Sequence, residues 1–131
     1  MCSQIAAEPR VAVYQVGFGQ GLFAIGDFSE NDIILDLNEG AEETKNEPAP
    51  YAIELNSGCG TQVYVLHPWG RWINHSCNPN ARIDKKNGWV VAMRYIADGY
   101  EICVDYSASE TRICFPFDCR CGEFNCRKRI E

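Results

Sequence analysis

Four thiols constrain this chain more than any other feature of its sequence. Three lie close together near the C-terminus, in Cys119-Arg120-Cys121-Gly122-Glu123-Phe124-Asn125-Cys126. The fourth, Cys77, lies inside Asn74-His75-Ser76-Cys77-Asn78-Pro79-Asn80, far back in the sequence. Thiols spaced so tightly do not suit ordinary disulfides. Three clustered sulfurs plus a distant one are what a tetrahedral zinc site uses to staple a tail onto a domain. The chain must then return its end to an internal loop that is dense in hydrogen-bonding groups.

The 131 residues are enough for one domain with a real core, and too few for two. An apolar content of 46% beside 23% charged residues fits a soluble globular chain. No apolar run approaches the roughly 20 residues of a membrane helix. The start, Met1 to Arg10, lacks the basic and apolar regions of a secretory signal. An intracellular protein with no membrane contact is expected. In that setting metal ligation suits the clustered cysteines better than disulfides do, and Cys2, Cys59, Cys103 and Cys114 read as free or buried thiols.

A net charge of −6 argues against direct electrostatic binding of nucleic acid. Zinc held by four thiolates adds two further negative charges, +2 against −4. Between Asp27 and Glu54 the acids outnumber the bases heavily, with Lys45 alone opposing them. Such a stretch is a solvated face or a surface that attracts a basic partner.

Short alternating runs dominate the rest. Strands are expected over residues 10–16, 22–25, 33–37, 51–55, 62–66, 81–85, 89–96 and 101–106. Asn87-Gly88 is the strongest hairpin signal, Trp69 to Ile73 suits one helical turn, and 38–50 reads as an acidic surface insertion. The chain is mainly β. Gly17-Phe18-Gly19-Gln20-Gly21 is not a Rossmann fingerprint, because its third glycine comes one residue early and a strand follows. It is a tight turn, or a place where backbone approaches a ligand. His75 and Cys77 invite a thiol-protease reading, yet no orienting acid or oxyanion loop accompanies them, and zinc ligation removes Cys77 as a nucleophile.

Taken together, four segments resemble a known family. They are the glycine turn with Phe23, Arg71-Trp72-Ile73-Asn74-His75-Ser76-Cys77-Asn78-Pro79-Asn80, Gly99 to Tyr106, and the Cys-x-Cys-x4-Cys tail. In that order they resemble a SET-domain protein lysine methyltransferase with its post-SET zinc motif, over roughly residues 10–128. The resemblance implies small curved β-sheets with a knot-like C-terminal crossing. It divides the chain into an N-terminal extension (1–9), a SET domain (10–107) and a zinc-binding post-SET tail (108–131). At the crossing, 74–80 and 101–106 are expected side by side.

The resemblance also assigns roles. S-adenosylmethionine is expected against Gly19, Gly21, Asn74, His75 and Tyr106, with Tyr106 as the catalytic tyrosine. Structural zinc is expected on Cys77, Cys119, Cys121 and Cys126. The implied partner is a protein or peptide that presents a lysine, basic in character, with a histone as one candidate. Tyr51, Tyr64 and Phe117 are candidate aromatics of the lysine channel. Val104 and Tyr100 depart from the family pattern, which has an aromatic residue and a Glu at those places. The insertion between Leu37 and Tyr64 is also short for the family; with Val104 it makes a catalytically weak SET-like protein-binding module the alternative, and methylation of a non-protein amine is a third reading. Nothing in the sequence names an oligomeric state.

Overall fold

The computed structural model describes residues 10–17, 19–44, 51–56 and 62–131. Phe18, Cys2, Cys59, the extension 1–9 and the insertion residues 45–50 lie outside that set. Its elements are short strands, as the alternating runs predict, arranged among the described residues in five small sheets.

β1 (Val11–Val16) and β2 (Gly19–Ala24) form an antiparallel hairpin that turns at Gly17, whose φ of 57° suits a residue without a Cβ. The glycine-rich segment is therefore half turn and half strand: Gly19 and Gly21 sit inside β2, not before it. β3 (Ile33–Asp36), β8 (Ala81–Asp84) and β9 (Trp89–Ala92) make a second sheet in the order β3-β9-β8. Its β8–β9 hairpin closes through Gly88, at φ 77°, as Asn87-Gly88 predicts. β9 ends four residues earlier than expected, and Ile96 forms an isolated bridge to Phe28 instead. A third sheet pairs β4 (Glu42–Glu43), β6 (Gln62–Leu66) and β5 (Ile53–Asn56), so part of the acidic insertion is an edge strand.

The core fills the space between these sheets. Leu22, Phe28, Leu37, Val90, Ile96 and Ile102 are all at most 2% exposed. Burying each such side chain contributes about 1.5–3 kcal/mol. Trp69 to Ile73 does form one tight turn, a 3-10 helix over Gly70–Trp72.

Two minor sheets position the site. β7 (Asn74–His75) pairs in parallel with β10 (Cys103–Val104), placing Cys103 opposite Asn74 and Val104 opposite His75. The two segments thus lie side by side, as the resemblance implies. The strand expected over 101–106 is shorter: it stops at Val104, and a single helical turn, α1 (Tyr106–Ser109), begins. The reason is local. Asp105 caps that turn by accepting the Ser107 backbone N–H at 2.9 Å, a signal present in Asp105-Tyr106-Ser107. Finally β11 (Phe117–Asp118) pairs with β12 (Arg129–Ile130), folding the tail into a hairpin around the cysteines.

Candidate active site

The tail brings its thiols to Cys77. The sulfurs of Cys77, Cys119, Cys121 and Cys126 all lie within 4.8 Å of one another. The Cys77 and Cys119 sulfurs are 3.8 Å apart. Bonds of about 2.3 Å to four tetrahedral thiolates require an S···S edge of about 3.8 Å, so this donor set fits zinc closely. Ile130 is buried beside the cluster, with Ile113 and Phe117 packed against it. Backbone N–H groups of Arg127 and Lys128 donate to the Cys77 and Cys126 sulfurs at 3.3 and 3.4 Å, as thiolates require. Burial pushes the Cys119 thiol up, whereas Cys121, against its own burial, is held low by N–H groups of Cys77 and Glu123. A bound cation would favour the deprotonated form of all four.

His75 and Asn74 begin the adjoining site. The His75 Nδ1 accepts the Tyr106 backbone N–H at 3.1 Å, so Nδ1 carries no proton. Burial, the larger influence, lowers the imidazole pKa, although the charge of Asp105 opposes it. The ring is therefore neutral, with its hydrogen on Nε2, 3.4 Å from the Cys77 sulfur. One side chain thus joins Cys77 of the cysteine cluster to Tyr106. The Asn74 amide nitrogen donates to the Gln20 carbonyl and to Glu101 Oε2, each at 2.8 Å. Asn80 donates to the Glu101 carbonyl at 2.8 Å and accepts from the Cys103 N–H at 3.0 Å, replacing ladder bonds that the short strands lack.

Tyr106 sits where three cavities meet. The largest, about 730 Å³, is lined mainly by polar residues, among them Asn74, His75, Arg94 and Glu101, and also by Cys121. The second, about 300 Å³, has walls of Ile53, Tyr64, Ile73, Val104 and Phe117. A third, about 420 Å³, is bounded by Gln15, Gly19, Arg71 and Trp72. Tyr106 lines all three. Its hydroxyl donates to the Ile73 carbonyl at 2.6 Å. Burial holds the phenol well above its usual pKa, so it stays protonated. His75, Tyr106 and Phe117 pack edge to face, with ring centroids 5.3 to 5.7 Å apart.

Most residues expected from the sequence converge here. Asn74, His75, Tyr106, Cys119 and Cys121 line the polar cavity, and Gly19 lines its neighbour. Gly21 lines none of the three; a Cβ there would lie 2.5 Å from Glu101 Oε2, so its role is to admit that carboxylate. Tyr51, Tyr64 and Phe117, the aromatics expected in a lysine channel, all line the 300 Å³ cavity, as does Val104.

Three residues escape a reading of the sequence. Arg71 lines both the 300 and 420 Å³ cavities, and its Nε is buried without a hydrogen-bond partner among the described residues. Glu110 lies in the apolar wall, where burial first and the Glu54 charge second raise its carboxyl to about 7. Arg127 touches both the Cys77 sulfur and Asp105, the residue before Tyr106. For Arg71, its place three residues before Asn74 was the available signal; Glu110 and Arg127 carry none without the fold. Glu54, counted by sequence among the surface acids, is 1% exposed and pairs with Lys85 at 2.5 Å.

Comparison with known proteins places this geometry. The SET domain family profile matches residues 19–107. A Candida albicans protein named histone-lysine N-methyltransferase, H3 lysine-36 specific, is 40% identical over 135 residues, covering 84% of this chain and 15% of its own length. A Gibberella zeae protein of the same name is 31% identical over 132 residues, covering 82% and 14%. The chain thus spans less than a fifth of these relatives. Among solved structures, KRYPTONITE in complex with mCHG DNA and SAH superposes with a TM-score of 0.66 at 20% identity, covering 91% of this chain and 28% of the other. The methyltransferase domain of human PR domain-containing protein 2 gives 0.56 at 15% identity, covering 74% and 76%. These likenesses extend to the fold. With the SET profile matched across β2 to Tyr106 and a cysteine cluster closing the tail, the chain belongs to the SET domain family.

Proposed function

We propose that this chain is an S-adenosylmethionine-dependent protein-lysine methyltransferase domain with a structural zinc site. The observation that carries the reading is the place of Tyr106, at the junction of a polar cavity and an apolar one. A methyl donor on one side and an alkyl amine on the other would meet there.

The polar space fits the cofactor. Its 730 Å³ lies within the roughly 300–1,000 Å³ of small-molecule sites. The partnerless Arg71 Nε next door suits a carboxylate, such as that of the cofactor's amino-acid end. When bound, S-adenosylmethionine supplies a methyl group already activated by its sulfonium charge. The protein's own task is then proximity and orientation, which can account for about 7–11 kcal/mol of a barrier.

The residues divide that task. Ile53, Tyr64, Val104 and Phe117 would enclose the methylene stem of a lysine and exclude water. Desolvation there disfavours an ammonium, whose free pKa is about 10.4, and so favours the neutral amine that can react. Tyr106 spends its hydroxyl proton on Ile73, leaving oxygen lone pairs to orient groups at the junction. His75 fixes the Tyr106 backbone, and Asn74 fixes Glu101 on the polar side. Cys77, Cys119, Cys121 and Cys126 would hold zinc with no open position, giving it a structural role.

The substrate proposed is a lysine in a basic protein segment, within the cell. The relatives' names make histone H3 the first candidate, and the acids around the insertion would suit its charge. Methyl transfer onto a lysine peptide array, read by mass spectrometry, tests activity and preference together. Transfer that requires the cofactor and disappears in Tyr106→Phe is the expected result. Cofactor binding without transfer to any protein or peptide would sink the enzyme reading. Failure of calorimetry to detect either S-adenosylmethionine or its demethylated product would favour the scaffold alternative, for which the small Val104 in the cavity wall is the motive.

A further inference from the structure

Arg127 follows the last cysteine of the tail, and the hydrogen bonds it donates lead toward the surroundings of Tyr106. Its backbone N–H donates to the Cys77 sulfur at 3.3 Å, and its Nε donates to the same sulfur at 3.4 Å. Its terminal nitrogen donates to Asp105 Oδ1 at 2.8 Å and lies 3.4 Å from His75 Nε2. Lys128, at φ 70°, then turns the chain away into β12. One guanidinium thus spans a metal-ligating sulfur, the carboxylate that caps α1, and the imidazole that accepts the Tyr106 N–H.

The charges explain why an arginine stands there. Four thiolates and one zinc ion sum to −2, and Asp105 adds −1. Asp105 and Cys77 would repel one another across this gap without a cation between them. Arg127 is the cation that contacts both among the described residues. Its planar fork can serve two acceptors at once, which a lysine ammonium does less well.

We propose that Arg127 is a positioning residue that couples the metal cluster to the catalytic tyrosine: with the thiolates in place it clamps Asp105, and Asp105 and His75 together fix the first turn of α1 and so the Tyr106 hydroxyl. Loss of metal would release Arg127 and with it Tyr106, beyond any loosening of the cavity wall. This rests on Tyr106 acting as the methyl-transfer residue, but the coupling itself can be read without activity. Outer partners of metal ligands, when removed, typically cost 10–100-fold in metal affinity or activity.

The test compares full-length zinc-loaded wild type, Arg127→Ala, Arg127→Met and Arg127→Lys. Hydrogen exchange of the segment 105–109 reports the Tyr106 and Ser107 amides directly, with exchange in β8 and β9 as the internal standard. Arg127→Ala and Arg127→Met should speed exchange in 105–109 about tenfold with β8 and β9 unchanged, and Arg127→Lys should restore part of the protection. Chelation of wild type should reproduce the same change, and chelation of Arg127→Ala should add little to it. With a peptide substrate, kcat should fall about tenfold or more while KM moves less than about threefold, the split expected for a misplaced reacting group. If 105–109 stays protected in both variants while chelation still exposes it, the proposal is wrong. Should the exchange pattern appear in a protein with no transferase activity, the coupling stands and the proposed reaction fails. If Arg127→Ala also loses protection in β8 and β9, Arg127→Met decides between the outcomes, because it keeps the stem's packing. Global unfolding of that variant too would mean the residue holds the domain and not the tyrosine.

Discussion

Two of the three cavities that meet at Tyr106 are built by opposite means. The apolar one is walled by strand residues from the core side, Ile53, Tyr64, Ile83 and Val104, and completed by Phe117. The polar one is walled by short loops and by the tail, with Cys119 and Cys121 of the cysteine cluster in its surface. The first is held by burial, which is non-directional and shared with the whole core. The second depends on side-chain amides, single hydrogen bonds and the cysteine cluster, each of which can be lost alone. A lysine stem needs only the former kind of wall, whereas a charged cofactor needs the latter. On the proposed function, the chain would place its most replaceable contacts around the ligand that demands most direction.

The sharpest way to break this division is at the junction. Tyr106→Phe removes one oxygen and leaves both cavities standing. The expected loss in kcat is about 10²–10⁴-fold, the range for a positioned proton-bearing group, with cofactor affinity within about threefold of wild type. Single-turnover kinetics and calorimetry measure the two separately. A kcat within tenfold of wild type would mean that the chemistry does not occur where the cavities meet.

Removing the metal should separate the walls. Cys121→Ser, or chelation, is expected to weaken S-adenosylmethionine binding about 10–100-fold while the far-ultraviolet spectrum and the melting of the β core persist. Elemental analysis should find one zinc per chain beforehand. Collapse of the core on chelation would show that both cavities depend on the cluster and erase the contrast.

Glu110 is the titratable exception in the apolar wall, and pH sharpens its part. Burial, the Glu54 charge and a hydrogen bond with Glu54 raise its carboxyl to about 7, against some opposition from Lys85. The folded state then binds a proton that the unfolded chain, titrating near 4.5, releases. Stability from this group is fully present below about 4.5 and is lost as pH rises through about 7. Allowing for water at the cavity mouth, the loss is on the order of 2 kcal/mol. Glu110→Gln should flatten that slope in urea titrations between pH 5 and 8. Above pH 7 the ionised carboxyl would attract a substrate ammonium, so the same variant should raise the peptide KM a few-fold at pH 8 and leave it unchanged at pH 6. A KM that shifts equally at both pH values would remove the charge from the explanation.

Much of this architecture is legible in the sequence, for identifiable reasons. A cysteine cluster announces itself through spacing, and Cys77 with the tail cysteines needed only the fold to bring their sulfurs within 4.8 Å. Tyr51, Tyr64 and Phe117 were legible as a set only through the family resemblance, since alternation alone does not say which cavity an aromatic residue faces. The strand expected over 101–106 failed at Asp105, where a cap competes with β alternation and wins. The acidity of 27–54 likewise hid Glu54, because composition cannot reveal that Lys85 and Thr111 would meet one carboxylate in the interior. Arg127 and Glu110 depend on partners 22 to 56 positions away, 127 minus 105 and 110 minus 54, and no local pattern encodes such pairs.

The smallest expected effect separates two glycines that the sequence presents as equivalent. A Cβ at Gly19 would approach nothing nearer than the Val16 carbonyl at 4.0 Å, and the residue borders the 420 Å³ cavity. A Cβ at Gly21 would lie 2.5 Å from Glu101 Oε2, which Asn74 already holds at 2.8 Å. Gly21→Ala must therefore push the carboxylate aside, and is expected to cost about 1–2 kcal/mol of stability with a modest loss of cofactor affinity. Gly19→Ala leaves every protein contact intact, so its stability should stay within about 0.5 kcal/mol of wild type. Any loss of cofactor affinity it shows then comes from the bound molecule alone. Thermal unfolding and calorimetry on the pair read these terms side by side. If Gly19→Ala binds cofactor as wild type does, the β2 backbone does not border the ligand, and the polar side of the comparison rests on Asn74, Glu101 and the cysteine tail.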